Sequence, residues 1–106
     1  MLIRQWRVWS AAIAEAAVKV LGPCEVYVFG SVVEGHETGG SDVDVLVVAE
    51  HLPTRFKVRG ELKAKIEVEA KLPLYHPFEI HLVTREEAEA NPIYREARRK
   101  GIAITV

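Results

Sequence analysis

Asp42 and Asp44 stand two apart at the opening of an otherwise apolar run, SDVDVLVVA. Aspartate is depleted in β-strands, and the two-residue period of a strand places both carboxylates on one face. Beyond them that face continues as Leu46 and Val48 and the opposite one as Val43, Val45 and Val47, so the strand is expected to be buried on both sides past its first turn. Two like charges at the rim of a buried strand repel each other and lose hydration, and no Lys or Arg lies within the strand to offset them. A divalent cation meets that need. Mg²⁺, or Mn²⁺ in its place, takes carboxylate oxygen from one or two protein groups and leaves the rest of its octahedron to water and substrate phosphates.

Two further groups fall near this pair. Gly30-Ser31 ends the preceding apolar run, and Ser31 with Glu34 has the spacing of a capping box, so a short helix is expected just after the serine. Free backbone N–H groups at a helix start, approached closely because of the glycine, suit phosphate oxygens. A lone Gly-Ser pair is usually only a turn; its position directly before the aspartate strand gives it weight. The run PFEIHLV, residues 77–83, then carries Glu79 and His81 on one face with Val83, and Phe78, Ile80 and Leu82 on the other. Glu79 is a candidate third carboxylate, as a ligand in a two-metal arrangement or as general base. The plainer alternatives are a partly solvated Glu79 and a hydrogen-bonded, structural His81.

The elements that must position these groups follow from periodicity and local signals. Residues 3–21 read as an amphipathic helix with Trp6, Trp9, Ile13, Ala16, Ala17 and Val20 on one face, core or subunit-contact residues, and Gly22-Pro23 as its stop. Residues 24–29 and 42–49 read as strands. From 55 to 71, Val58, Leu62 and Ile66 recur at helical spacing with Glu61/Lys65, Lys63/Glu67 and Glu67/Lys71 at i,i+4, although Gly60 weakens the pattern. Thr84 with Glu87 forms a second capping-box pattern, and Asn91-Pro92 places a cap before a proline at the first helical position. Two short helices are therefore expected, then a stop at Gly101 and a last strand from Ile102 to Val106. This order predicts an α+β fold: a small mixed sheet of three to four strands covered by helices.

Length and composition narrow the classes. A chain of 106 residues encloses one core and is expected to be a single domain without a separate substrate-binding unit. With 14 basic and 15 acidic residues the net charge is −1, so no global field draws it to nucleic acid or to an anionic membrane. The single cysteine, Cys24, is expected to be a small core residue in a reducing compartment. Glu15 and Lys19 interrupt any signal-peptide apolar region, and no run reaches the roughly 18 apolar residues of a membrane span, which places the protein in the cytoplasm.

The ordered set Gly30-Ser31, a short loop with Gly35, Ser41-Asp42-Val43-Asp44 and a later carboxylate-bearing strand resembles the DNA polymerase beta-like nucleotidyltransferase superfamily over about residues 24–84. In length the chain is similar to the stand-alone minimal nucleotidyltransferases. The resemblance implies transfer of a nucleoside monophosphate, usually AMP from ATP, to a hydroxyl. By position it implies nucleotide binding at Gly30, Ser31 and Ser41 and metal binding and catalysis at Asp42 and Asp44, with Glu79 as the third carboxylate. It also implies a HEPN-type helical protein partner, for which such a domain serves as antitoxin and which it can adenylylate; self-association is a further expectation. Two features depart from the pattern. Val32-Val33-Glu34 follows the Gly-Ser where many relatives carry arginines, and the register of the third carboxylate falls on His81, with Glu79 two residues earlier. These departures leave a second reading open, a binding module that neutralises its partner by docking.

Overall fold

A computed structural model describes residues 5–30, 33 and 43–105. Eight elements follow in the expected order: α1 (Trp6–Leu21), β1 (Cys24–Phe29), β2 (Val43–Ala49), α2 (Phe56–Glu69), β3 (Phe78–Thr84), α3 (Arg85–Ala90), α4 (Pro92–Lys100) and β4 (Ile102–Ile104). The four strands form one sheet in the order β3-β2-β1-β4. β2 pairs in parallel with β3, whereas β1 runs antiparallel to both β2 and β4. The mixed sheet is therefore as expected, with four strands. The short helix anticipated after Ser31 lies outside the described residues.

Strand alternation divides the apolar residues between two layers. Val43, Val45 and Val47 of β2 join Val26, Val28 and Ile80 on the face covered by α1 and α2, through Trp6, Ile13, Ala17 and Ile66. Leu46 and Val48, with Val83 of β3, pack on the opposite face against Ala88 of α3 and Ala97 of α4. The central strand is thus buried on both sides beyond Asp44, as its composition predicts. Each fully buried Val or Leu contributes about 1.5–3 kcal/mol relative to exposure, so β2 is the best-anchored strand. Trp9, Val20 and Cys24 lie half-buried against the first cluster, and burial pushes the Cys24 thiol up from its ordinary pKa. No helix among the described residues is long and apolar enough to cross a membrane.

Local signals set the element ends. The Thr84 side chain accepts from the Glu87 N–H while Glu87 reaches back to the Thr84 N–H, a complete capping box. Asn91 caps α4 by accepting from the Ile93 N–H at 2.9 Å, with Pro92 at the first helical position. α2 continues through Gly60 without a break. Among the described residues the i,i+4 pairs expected on α2 form no ion pairs. Glu67 instead receives His76 Nε2 at 2.7 Å, while His76 Nδ1 accepts from the Phe78 N–H, and this pins the entry to β3. Lys71 leaves the helical path at φ 58°, which takes it off the face it would share with Glu67.

On the outer face, Glu25 of β1 ties the second layer down. It accepts from the Tyr27 hydroxyl at 2.6 Å and from Arg98 of α4 at 3.2 Å, and Arg85 of α3 lies at 3.3 Å. The Tyr27 hydrogen bond, reinforced by the two arginines and opposed by burial, holds the Glu25 carboxyl below its usual range. A depressed folded-state pKa stabilises the fold above the unfolded-state value and loses that contribution as pH falls through the folded one. Urea midpoints should therefore decline on acidification below about pH 4.5, and Glu25→Gln should flatten that decline. Gly101, between α4 and β4, allows a second close approach: a Cβ there would sit 2.8 Å from the Val28 carbonyl oxygen and nearer still to that of Ala97. Gly101→Ala is expected to lower unfolding free energy by about 1–3 kcal/mol in urea titrations, because only backbone can move aside.

Candidate functional site

The chemistry-bearing residues gather at one end of the sheet, where β1 finishes and β2 and β3 begin. The pairing register sets Asp44 beside Phe29 of β1 on one side and Glu79 of β3 on the other, with Leu46 beside His81. A parallel pair in this register carries Asp44, Glu79 and His81 on one face. Each offers a ligating atom, and these atoms lie within 4.8 Å of one another. Glu79 is exposed, whereas the Asp44 and His81 side chains keep 28% and 22% of their accessibility, enough to meet a ligand.

His81 is fixed more firmly than its strand position alone would do. Nε2 lies 3.2 Å from Asp44 Oδ1, and Nδ1 lies 3.2 Å from the Tyr94 hydroxyl of α4. An ionised carboxylate only accepts, so Nε2 donates to Asp44, and in the tautomer with its single proton there Nδ1 accepts from the tyrosine. Phe29 and Tyr94 flank the imidazole, with centroids at 5.4 and 5.6 Å. Burial, aided by the charges of Glu79, Glu87 and Asp44, pushes the Tyr94 phenol above its ordinary pKa.

Gly30 closes the site from β1. It adopts φ +88°, and a Cβ there would fall 2.5 Å from Asp44 Oδ2, so the aspartate occupies the space a side chain would need. Its carbonyl accepts from the Val33 N–H at 3.2 Å, which begins the turn. From Gly30 a groove of ≈440 Å³ runs along α4, lined by Phe29, Val33, Ile93, Ala97 and Lys100 among others.

Of the residues singled out in the sequence, Gly30, Asp44 and Glu79 are brought together, and His81 joins them. Ser31, Ser41 and Asp42 lie outside the described residues. Tyr94 was missed. Its signal was available, since Tyr94, Ala97 and Arg98 form an i, i+3, i+4 stripe on a short helix and so face the sheet together.

The family model described as nucleotidyltransferase domain matches residues 12–104, which span all three strands of this site. The chain belongs to the nucleotidyltransferase domain family. A crystal structure provisionally named a nucleotidyltransferase shares 32% identity with this domain at a TM-score of 0.63, over 88% of this chain and 94% of that one. A second, provisionally named in the same way and from Sulfolobus solfataricus, aligns at a TM-score of 0.58 over 97% of this chain and 86% of its own. At 15% identity it supports the fold alone. The comparison with curated proteins found no match to this chain.

Gly30→Ala should lower stability by about 1–3 kcal/mol, because a non-glycine residue is strained at this φ and its Cβ meets the carboxylate. In the same variant the imidazole NMR signals of His81 should shift as Asp44 is displaced, whereas unchanged signals would mean that the close approach is unimportant.

Proposed function

We propose that this nucleotidyltransferase domain transfers AMP from ATP to a hydroxyl on a second protein chain, a helical partner of HEPN type. The observation that carries the reading is the convergence of Asp44, Glu79 and His81 within 4.8 Å beside the Gly30 turn. The donor set fits a divalent ion: two carboxylates and an imidazole approach one point from two strands. Asp44 and Glu79 would hold it, together with Asp42, two residues before Asp44 in the sequence. Once bound, Mg²⁺ or Mn²⁺ supplies positive charge to phosphate oxygens and orients them for in-line displacement.

The chain's own groups do the remainder. Gly30 presents backbone without a side chain, so the triphosphate can lie against it, with Ser31 and Ser41 as the further nucleotide-binding residues of this reading. Glu79, exposed and level with Asp44, accepts the proton of the acceptor hydroxyl. The resulting oxygen forms a bond to the α-phosphorus as the bond to the β-phosphate oxygen breaks, and pyrophosphate leaves. Positioning and electrostatic stabilisation carry most of such a rate. The groove beside Gly30 gives bulky groups room next to the reacting centre. A domain of 106 residues with a net charge of −1 cannot enclose a large acceptor and has no basic excess for nucleic acid, which favours a protein presenting the hydroxyl.

Incubation with α-labelled ATP and a co-purifying helical partner should yield a partner carrying AMP, detected by mass spectrometry. Asp44→Ala should reduce the adduct by at least about a hundredfold. Full activity in that variant would refute the role given to Asp44. No adduct, with no ATP binding by calorimetry alone or with the partner, would leave a docking module in place of an enzyme.

A further inference from the structure

We infer that His81 contributes a nitrogen ligand, so that the site favours a first-row transition ion over Mg²⁺. The inference rests on the metal role proposed for Asp44 and Glu79 and adds a donor atom and a selectivity to it. In the strand register His81 lies beside Leu46, one period deeper than Glu79, yet its ring reaches back to Asp44 Oδ1 at 3.2 Å. Two donors held at right angles by an ion with arms of about 2.1 Å are about 3.0 Å apart. The Nε2 to Oδ1 separation is thus already close to the edge of an octahedron. The looser 4.8 Å span of the full set needs only a small approach by exposed Glu79.

The rest of the environment supports ligation over a merely structural hydrogen bond. Phe29 and Tyr94 flank the ring, and the Tyr94 hydroxyl meets Nδ1. Nε2 therefore points at the carboxylates. Ligating histidines generally engage a partner through the second ring nitrogen, which fixes the ring and its tautomer. When Nε2 ligates, the ring proton resides on Nδ1, which then donates to the Tyr94 oxygen. Mg²⁺ prefers an all-oxygen shell, whereas imidazole strengthens binding along the transition series. Mn²⁺ stands lowest in that series, which makes it the stringent probe.

The test is electron paramagnetic resonance of Mn²⁺ bound to the full chain, with and without ATP, in natural-abundance protein and in protein carrying ¹⁵N-histidine. The expected result is a ¹⁴N coupling that becomes a ¹⁵N coupling on labelling, and Mn²⁺ affinity exceeding that for Mg²⁺ by about tenfold or more. His81→Asp should abolish the nitrogen coupling and narrow the Mn²⁺ to Mg²⁺ ratio by a similar factor while Mg²⁺ still binds. The wild-type labelling result stands even if that variant folds poorly. Mn²⁺ bound without histidine nitrogen would overturn this inference and leave the metal role of Asp44 and Glu79 standing. Failure to bind Mn²⁺ under both conditions would overturn the two together.

Discussion

A carboxylate pressed against a bare Cα organises this end of the molecule. Asp44 occupies the space above Gly30 that any side chain on the neighbouring strand would fill. The pairing of β1 with β2 sets Phe29 beside Asp44, and so holds this contact at the functional end of the sheet. The chain leaves β1 through a positive φ at Gly30. Charge, packing and chain direction thus meet at one contact. Burial of β2 on both faces makes the contact durable, because the strand carrying Asp44 cannot shift without disturbing both hydrophobic layers.

The second layer has a double role. α3 and α4 cover Leu46, Val48 and Val83, and the same α4 delivers Tyr94 to His81. Glu25 fastens that helix to β1 through Arg98, well away from the acids. Core packing on this face and orientation of the imidazole are consequently one structural fact. The family's nucleotidyltransferase chemistry depends on small errors of position, since an electrostatically driven transfer loses rate when its charged groups drift.

How far the sequence could be read depended on the range of the interaction. The three long strands, both caps around residues 84–92 and the two-sided burial of β2 were legible because each follows from neighbours a few positions away. The side-by-side placement of Asp44 and Glu79 follows from the parallel pairing of their strands, which no local signal in the sequence specifies. The two ion pairs expected of Glu67 on α2 do not form, since His76, nine residues on, takes that carboxylate. His81 was seen as a residue in the register of a missing carboxylate. Its contact with Asp44 and its support by Tyr94 join positions 37 and 13 residues apart, and no local rule reaches so far. Gly30 was read as leaving space for phosphate, but the space it leaves is first taken by Asp44.

Thr84 is both the last residue of β3 and the N-cap of α3, so strand and helix meet with no linker. A joint of zero length has no hinge. The strand that holds Glu79 and His81 at its start therefore passes at its other end straight into the helical layer behind the sheet, with no loop between them.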